Sequence, residues 1–358
     1  MGASNFSNFS LCMLYMSANI RIRLGYPDRM ISSTISAKTL DDLMRLVVEA
    51  LLADGDPICP SKGWAVELTG ILLELSDPRA RLSRTETRGK PYSCLGELCW
   101  YLAKSNELNF IEYYIPDYKK SADGDRIFGG YGPRLFNWGG LNQIANVLAV
   151  LKGKNPESRQ AVVQLFDRHD IVAKYEDVPC TCTLQFMQRD GKLHMLTSMR
   201  SNDVYKGLPH DVFCFTMLQE IIARDLSVDV GSYKHAVGSL HLYSTDLESV
   251  RNFLNEGWQP TIDVAMPAMP AGDPWSGINV LLGAEQALRF GRSIREDDLR
   301  SIGPYWADLI RLLDVFQNKR NKKDSRQTRK DRVQKLRGEI TSGVYHVFVD
   351  QLLSDLAE

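Results

Sequence analysis

Residues 179–211 constrain the fold more than any other stretch, because one continuous segment carries a strand, a turn, a return strand and a helix start. Residues 181–188 alternate as a strand, Asp190-Gly191 is a two-residue turn signal, and 192–199 form the return strand. Asp211 then opens an amphipathic helix from Val212 to Ala223, with apolar residues at helical spacing. Cys180 stands at the start of the first strand and Arg200-Ser201 at the end of the second. A hairpin sets those two points side by side, so a nucleophile and an anion-binding pair would face a shared pocket.

The rest of the chain reads as mixed elements. Thr39 caps a helix through Ala53, acidic in its first turn and ended by Gly55. A strand over 64–75 is broken by Ser76-Asp77-Pro78. Helices are expected over 94–103, 140–153, 211–224, 278–290 and 304–317, with a short amphipathic one over 344–358. Further strands are expected over 160–166 and 237–243, and 260–274 reads as a Pro-rich loop. Long helices and strands in irregular order, with no internal repeat, indicate an α/β or α+β domain. Residues 1–35 carry little pattern and read as a poorly ordered extension, with Met30 an alternative start.

Seven cysteines, an odd number without paired CxxC spacing, argue against a disulfide framework and for a reducing compartment. No apolar run reaches the roughly 20 residues that span a bilayer. Phe9 to Met16 is too short, and no cleavage-site pattern follows it. A cytoplasmic protein with no membrane partner is expected. A net charge of −1 gives no whole-molecule attraction to nucleic acid. The basic run 319–337 has few aromatics and reads as a solvated helix or linker, so a nucleic-acid partner is not expected. The six histidines show no ligand spacing, so no metal is implied.

Pro179-Cys180 precedes a Gln185-Phe186 strand, and Arg200-Ser201-x-Asp203-x-x-x-Gly207-x-Pro209-x-Asp211 leads into a helix. His241-x-Tyr243 follows thirty residues later. Upstream lie Gly96-Glu97-Leu98-Cys99-Trp100, Tyr131-Gly132-x-Arg134 and Asn155-Pro156-x-Ser158-Arg159. In composition and order these motifs resemble the thymidylate synthase superfamily, which includes the dCMP hydroxymethylases. The resemblance covers roughly residues 60–250. It implies a layered α/β fold, a twisted mixed sheet flanked by helices, and a homodimer packed sheet to sheet. Residues 36–300 would be the catalytic domain, and 301–358 a helical, basic C-terminal extension.

The resemblance also implies roles. Cys180 would add as thiolate to C6 of a pyrimidine, making C5 nucleophilic toward a one-carbon electrophile, and Arg200 would favour the thiolate by charge. Cys182 and Cys214 read as structural. Arg200 and Ser201 would bind the 5′-phosphate of a pyrimidine nucleoside monophosphate, with Arg159 reaching across the dimer and Lys62 a further contact. Gln160 stands where a second arginine often follows. Glu97, between Leu95 and Leu98, would organise water and move protons, with its pKa raised by burial. Tyr131 would position water for removal of the C5 proton, and His241 and Tyr243 would hold the sugar 3′-hydroxyl. Asp203 and Gly207 match positions that contact the co-substrate, 5,10-methylenetetrahydrofolate.

Asp211 departs from the asparagine of thymidylate synthases. A carboxyl group accepts from the C4 amine of cytosine and, when protonated, donates to N3, and the family's dCMP hydroxymethylases carry aspartate here. The simpler role is a helix N-cap. Thr181 replaces the usual histidine after the cysteine, and His210 replaces an aromatic. The tryptophan near the folate is not evident around Ile115-Pro116-Asp117-Tyr118, nor is the family's short apolar closing tail. Their loss fits an enzyme that lets water attack the methylene intermediate, giving hydroxymethyl-dCMP. Three other readings stand beside it: a thymidylate synthase, a CMP hydroxymethylase, and a non-catalytic nucleotide or RNA binder.

Overall fold

A computed structural model describes residues 33–294 and 296–357. Residues 1–32, most of the expected extension and Met30 with it, lie outside the described residues. Strand β1 (Thr34–Ala37) begins inside the extension expected to end at 35. Helix α1 (Leu40–Asp54) follows, its Thr39 side chain accepting from the Asp42 amide at 3.1 Å. Leu40, Leu43, Met44, Val47, Val48 and Leu51 recur at helical spacing and are all buried. Strands β2 (Asp56–Ile58) and β3 (Ala65–Leu75) come next. Four helices then run in series: α2 (Pro91–Leu102), α3 (Leu108–Tyr114), α4 (Tyr131–Phe136) and α5 (Gln143–Leu151).

The hairpin consists of β5 (Thr181–Arg189) and β6 (Lys192–Asp203), with the short β4 (Val162–Gln164) on its outer edge. Asp190 and Gly191 both take positive φ, 50° and 71°, which gives the turn the twist that flanking strands need. Helix α6 (Leu208–Asp225) crosses over to β7 (Asp229–Tyr243), which lies parallel to β6. The remainder is helical: α7 (Leu247–Asn255), α8 (Pro274–Arg289), α9 (Glu296–Ser301), α10 (Gly303–Arg320), α11 (Arg326–Glu339) and α12 (His346–Asp355). The last of these return to the core, where Tyr92 donates from its hydroxyl to the Phe348 carbonyl at 3.1 Å.

The sheet runs β1-β3-β7-β6-β5-β4, with β2 pairing β3. It is mixed, twisted and unclosed. Its two faces differ. Leu73, His235, Thr197 and Leu184 are buried on one face, together with Tyr233, Met195 and Phe186. The opposite face carries Leu72, Ala236, Ser198 and Thr183 in one cross-strand row and Glu74, Lys234, Leu196 and Gln185 in the next, none of them fully buried. Helix α6 packs on the buried face and against α2.

Some boundaries depart from the sequence expectations. Helix α6 begins three residues before Asp211, because Pro209 suits the first helical turn and Gly207 takes the cap position. Asp211 is therefore inside the helix and caps nothing. Strand β7 begins eight residues before 237, since pairing to β3 on one side and β6 on the other holds residues that alone read as irregular. The expected strand over 160–166 shrinks to three residues. Helices α3, α4, α7 and α9 fall outside the sequence expectations; α3, α4 and α9 are only seven, six and six residues long.

Candidate active site

Cys180 lies immediately before β5, half-buried, and Arg200 on β6 braces it. The Arg200 amide donates to the Cys180 carbonyl at 2.9 Å. Its guanidinium donates through Nε to Pro179 O and through Nη2 to Val178 O, both at 2.9 Å, with Nη2 also 3.7 Å from the Cys180 Sγ. The guanidinium thus holds the nucleophile's backbone while leaving Nη1 for an anion. The Arg200 charge favours the thiolate as expected, but burial outweighs it. Burial, with Asp211 and Asp177 adding to it, pushes the Cys180 thiol up to about 11 against the pull of Arg200 and Lys62.

Glu97 is buried on α2 and accepts three hydrogen bonds. Tyr118 and Tyr101 donate to Oε1 at 2.7 and 3.0 Å, and His210 Nδ1 contacts Oε2 at 2.6 Å. The expected rise in its pKa does not occur. Burial alone would raise it, but His210 and the two phenols together hold the carboxyl below the ordinary range. The imidazole is raised in turn: burial opposes its charge, and Cys94 and Glu97 outweigh that. Glu97 and His210 form a buried ion pair.

Asp211 is one residue beyond His210. Asn202 Nδ2 donates to its Oδ2 at 2.7 Å, and the buried Asn202 Oδ1 has no partner among the described residues. Burial, then the Glu97 charge, pushes Asp211 up to about 8, which favours its protonated form at neutral pH. Gly207 adjoins this contact: a Cβ there would lie 3.1 Å from Asn202 Nδ2, a tight approach, and 3.5 Å from Asp211 Oδ2, an ordinary one. Asp203 Oδ1 accepts from the amides of Tyr205 and Lys206 at 2.8 and 2.9 Å, so this carboxylate shapes the turn into α6.

Tyr131 opens α4 and accepts at its hydroxyl from the Thr181 amide at 3.1 Å and the Thr181 Oγ1 at 2.9 Å. That places its oxygen beside the residue following the nucleophile. Burial raises the Tyr243 phenol, with Asp203 and Cys180 next, so Tyr243 faces the same space. His241 is buried and meets the Tyr243 ring edge-on at 4.9 Å. Ser201 is half-buried on β6, opposite Ser239 of β7.

One predicted residue is elsewhere. Arg159 is exposed beyond the edge strand β4, its carbonyl accepting from Gln185 Nε2 at 3.2 Å. Gln185 is five residues along β5 from Cys180, roughly 17 Å of strand. Within a single chain Arg159 does not join the cluster. Two members were missed. Asp177, three residues before the nucleophile, has its pKa raised by burial and feels Lys62 and Arg200. His210 was noted only as a replacement for an aromatic. Among the described residues no cluster of histidine, cysteine and carboxylate side chains could hold a metal ion. No described helix is long and apolar enough to cross a membrane.

The family model described as "Thymidylate synthase" matches residues 82–270, which takes in every element that builds this cluster except Lys62 and the adjoining β3. A curated relative, the deoxyuridylate hydroxymethyltransferase of Bacillus phage SP01, is 28% identical over 228 residues. The match covers 60% of this chain and 59% of the relative's length.

Proposed function

The chain belongs to the thymidylate synthase family, and on that premise we propose that it is a folate-dependent hydroxymethyltransferase acting at C5 of dCMP. The Cys180 thiol gives its proton to solvent as the nucleotide arrives, and Sγ bonds to C6 of the pyrimidine while the C5–C6 π pair moves toward C5. Arg200, Ser201 and Lys62 take the phosphate, while Tyr243 and His241 take the sugar. Tyr131 holds water against the C5 proton. Arg159 would serve the partner's site in a cytoplasmic homodimer, which the half-exposed sheet face with Leu72 and Leu196 supports.

The observation that carries the base assignment is the Asp211–Asn202 pair. Asn202 donates to Oδ2, so the proton of the neutral carboxyl belongs on Oδ1, ready for an acceptor such as cytosine N3. The orphaned Asn202 Oδ1 suits the second hydrogen of a C4 amine. Exchanging donor and acceptor to suit uracil would put the proton on the oxygen that Asn202 already faces.

The site suits 5,10-methylenetetrahydrofolate, which when bound supplies a carbon at the oxidation level of formaldehyde. Arg88 is buried, stacks 4.8 Å over the Tyr205 ring and leaves Nε without a partner, which fits an aromatic, anionic co-substrate beside the Asp203–Gly207 turn. The relative's activity on deoxyuridylate favours a second reading, the same chemistry on dUMP. Mass spectrometry of products from dCMP, dUMP and CMP with methylenetetrahydrofolate, beside a Cys180→Ala control, decides between them. A hydroxymethyl group gained by dCMP alone and lost in the control is the expected result.

A further inference from the structure

Glu97 does not end the chain of polar contacts in the pocket. His210 Nδ1 meets Glu97 Oε2 at 2.6 Å, and on the far side of the ring Nε2 lies 3.4 Å from Ser93 Oγ. Ser93 is half-buried, whereas Glu97 is closed in. Oε1 already takes two phenols, which leaves Oε2, with one partner, as the oxygen able to accept from a water. The titratable groups facing the pair are Cys94 and Tyr101 from α2, Tyr118 from the 3-10 turn Pro116–Ser121, and Asp211 and Cys214 from α6. His210 is the cation among them.

We propose that His210 is a positioning residue that holds Glu97 as the base for the attacking water and, once Glu97 has taken the water's proton, releases its own Nε2 proton toward Ser93. This rests on the hydroxymethyltransferase reading. The water oxygen bonds to the exocyclic carbon on C5, and the π pair of that double bond moves into the ring. The water's proton goes to Glu97 Oε2. The ring pair then re-forms the C5–C6 double bond and expels Cys180 as thiolate. Once Glu97 is neutral the imidazolium, whose Nδ1 already holds a proton, releases its Nε2 proton toward Ser93 Oγ and solvent. As product leaves, Glu97 gives the water's proton to the solvent that refills the site and Nε2 takes one back, which restores the ion pair. An aromatic ring at position 210 could neither charge the carboxylate pair nor carry the proton, so this residue would favour capture by water.

The test uses His210→Gln, which keeps a neutral hydrogen-bonding group, and Ser93→Ala. In His210→Gln the kcat for hydroxymethyl product is expected to fall about 10²-fold, with the nucleotide KM within about twofold. Its acid limb of kcat/KM moves to higher pH, because Glu97 keeps its burial and loses the imidazolium. Ser93→Ala lowers kcat several-fold without moving KM. Carbon-13 spectra of the ligand-free protein follow the Glu97 carboxyl without turnover, and its titration should rise in His210→Gln. A folded His210→Gln protein whose acid limb and Glu97 titration stay in place overturns the relay, as does a change confined to KM. If the wild type makes no hydroxymethyl product, the functional reading fails, and the carboxyl titration still decides whether His210 holds Glu97 ionised.

Discussion

Asn202 Nδ2 and Asp211 Oδ2 are 2.7 Å apart, nine residues from each other across the turn between β6 and α6. Gly207, inside that turn, lies against the pair, and a Cβ there would press on Asn202 Nδ2 at 3.1 Å. The pair therefore depends on backbone shape as well as on its own chemistry.

Replacing Asp211 with Asn substitutes a fixed amide for a carboxyl that carries a proton at neutral pH. Preference should move from dCMP toward dUMP, by up to about 10⁴-fold, because a buried polar edge left mispaired is costly. Competition assays with both nucleotides measure it. Unchanged selectivity would remove Asp211 as the base-reading residue.

The same carboxyl sets a pH dependence of stability. Its folded pKa of about 8 stands above the ordinary aspartate value of 3.8, so the native state holds a proton that the unfolded state has released. Between those limits stability falls as pH rises. Asp211→Asn removes that slope, and its melting temperature relative to wild type should climb by several degrees from pH 5 to pH 8. Parallel scanning calorimetry at the two pH values reads the difference.

Much of this site was legible before any coordinates. The hairpin turn was readable because Asp190 and Gly191 are residues that accept positive φ, and α1 because its apolar spacing matches one helix face. Cys180, Arg200 and Asp211 were findable by motif. The ionisation of Glu97 was not, because its partners Tyr118 and His210 are 21 and 113 residues away and reach it only through packing. The local apolar neighbours pointed to a raised pKa, and long-range hydrogen bonds reverse it. Asp177 was missed because nothing local marks a carboxylate that matters only once β5 and the Lys62 turn converge.

Cys180 should alkylate slowly at pH 7, since its thiol titrates at about 11. Asp177→Asn removes a charge that raises this value and should speed iodoacetamide labelling several-fold. Arg200→Gln should slow it. Labelling rates that rank in the opposite order would contradict this electrostatic account.

Tyr131→Phe removes the acceptor shared by the Thr181 amide and hydroxyl, and Thr181 is fully buried. Two buried donors lose their partner, at a cost of about 1–3 kcal/mol each where nothing replaces it. Urea unfolding should give a lower midpoint with an unchanged slope. A Thr181→Val change made in the Tyr131→Phe background should recover part of the loss, since the hydroxyl would no longer need an acceptor.

The half-exposed sheet face gives the last prediction. Leu72 and Leu196 stand in adjacent cross-strand rows of that face, away from the helices that cover the other side. A second copy laid on this face would bury both, and a charge at Leu196 would then sit unpaired in the interface. Leu196→Asp should convert a dimer to a monomer in sedimentation equilibrium, while circular dichroism stays native because the side chain does not support the chain's own core. Activity should fall with dimer content, since Arg159 sits too far along β5 to serve the Cys180 of its own chain. A wild-type monomer, or a Leu196→Asp monomer with full activity, would place Arg159 outside the reaction.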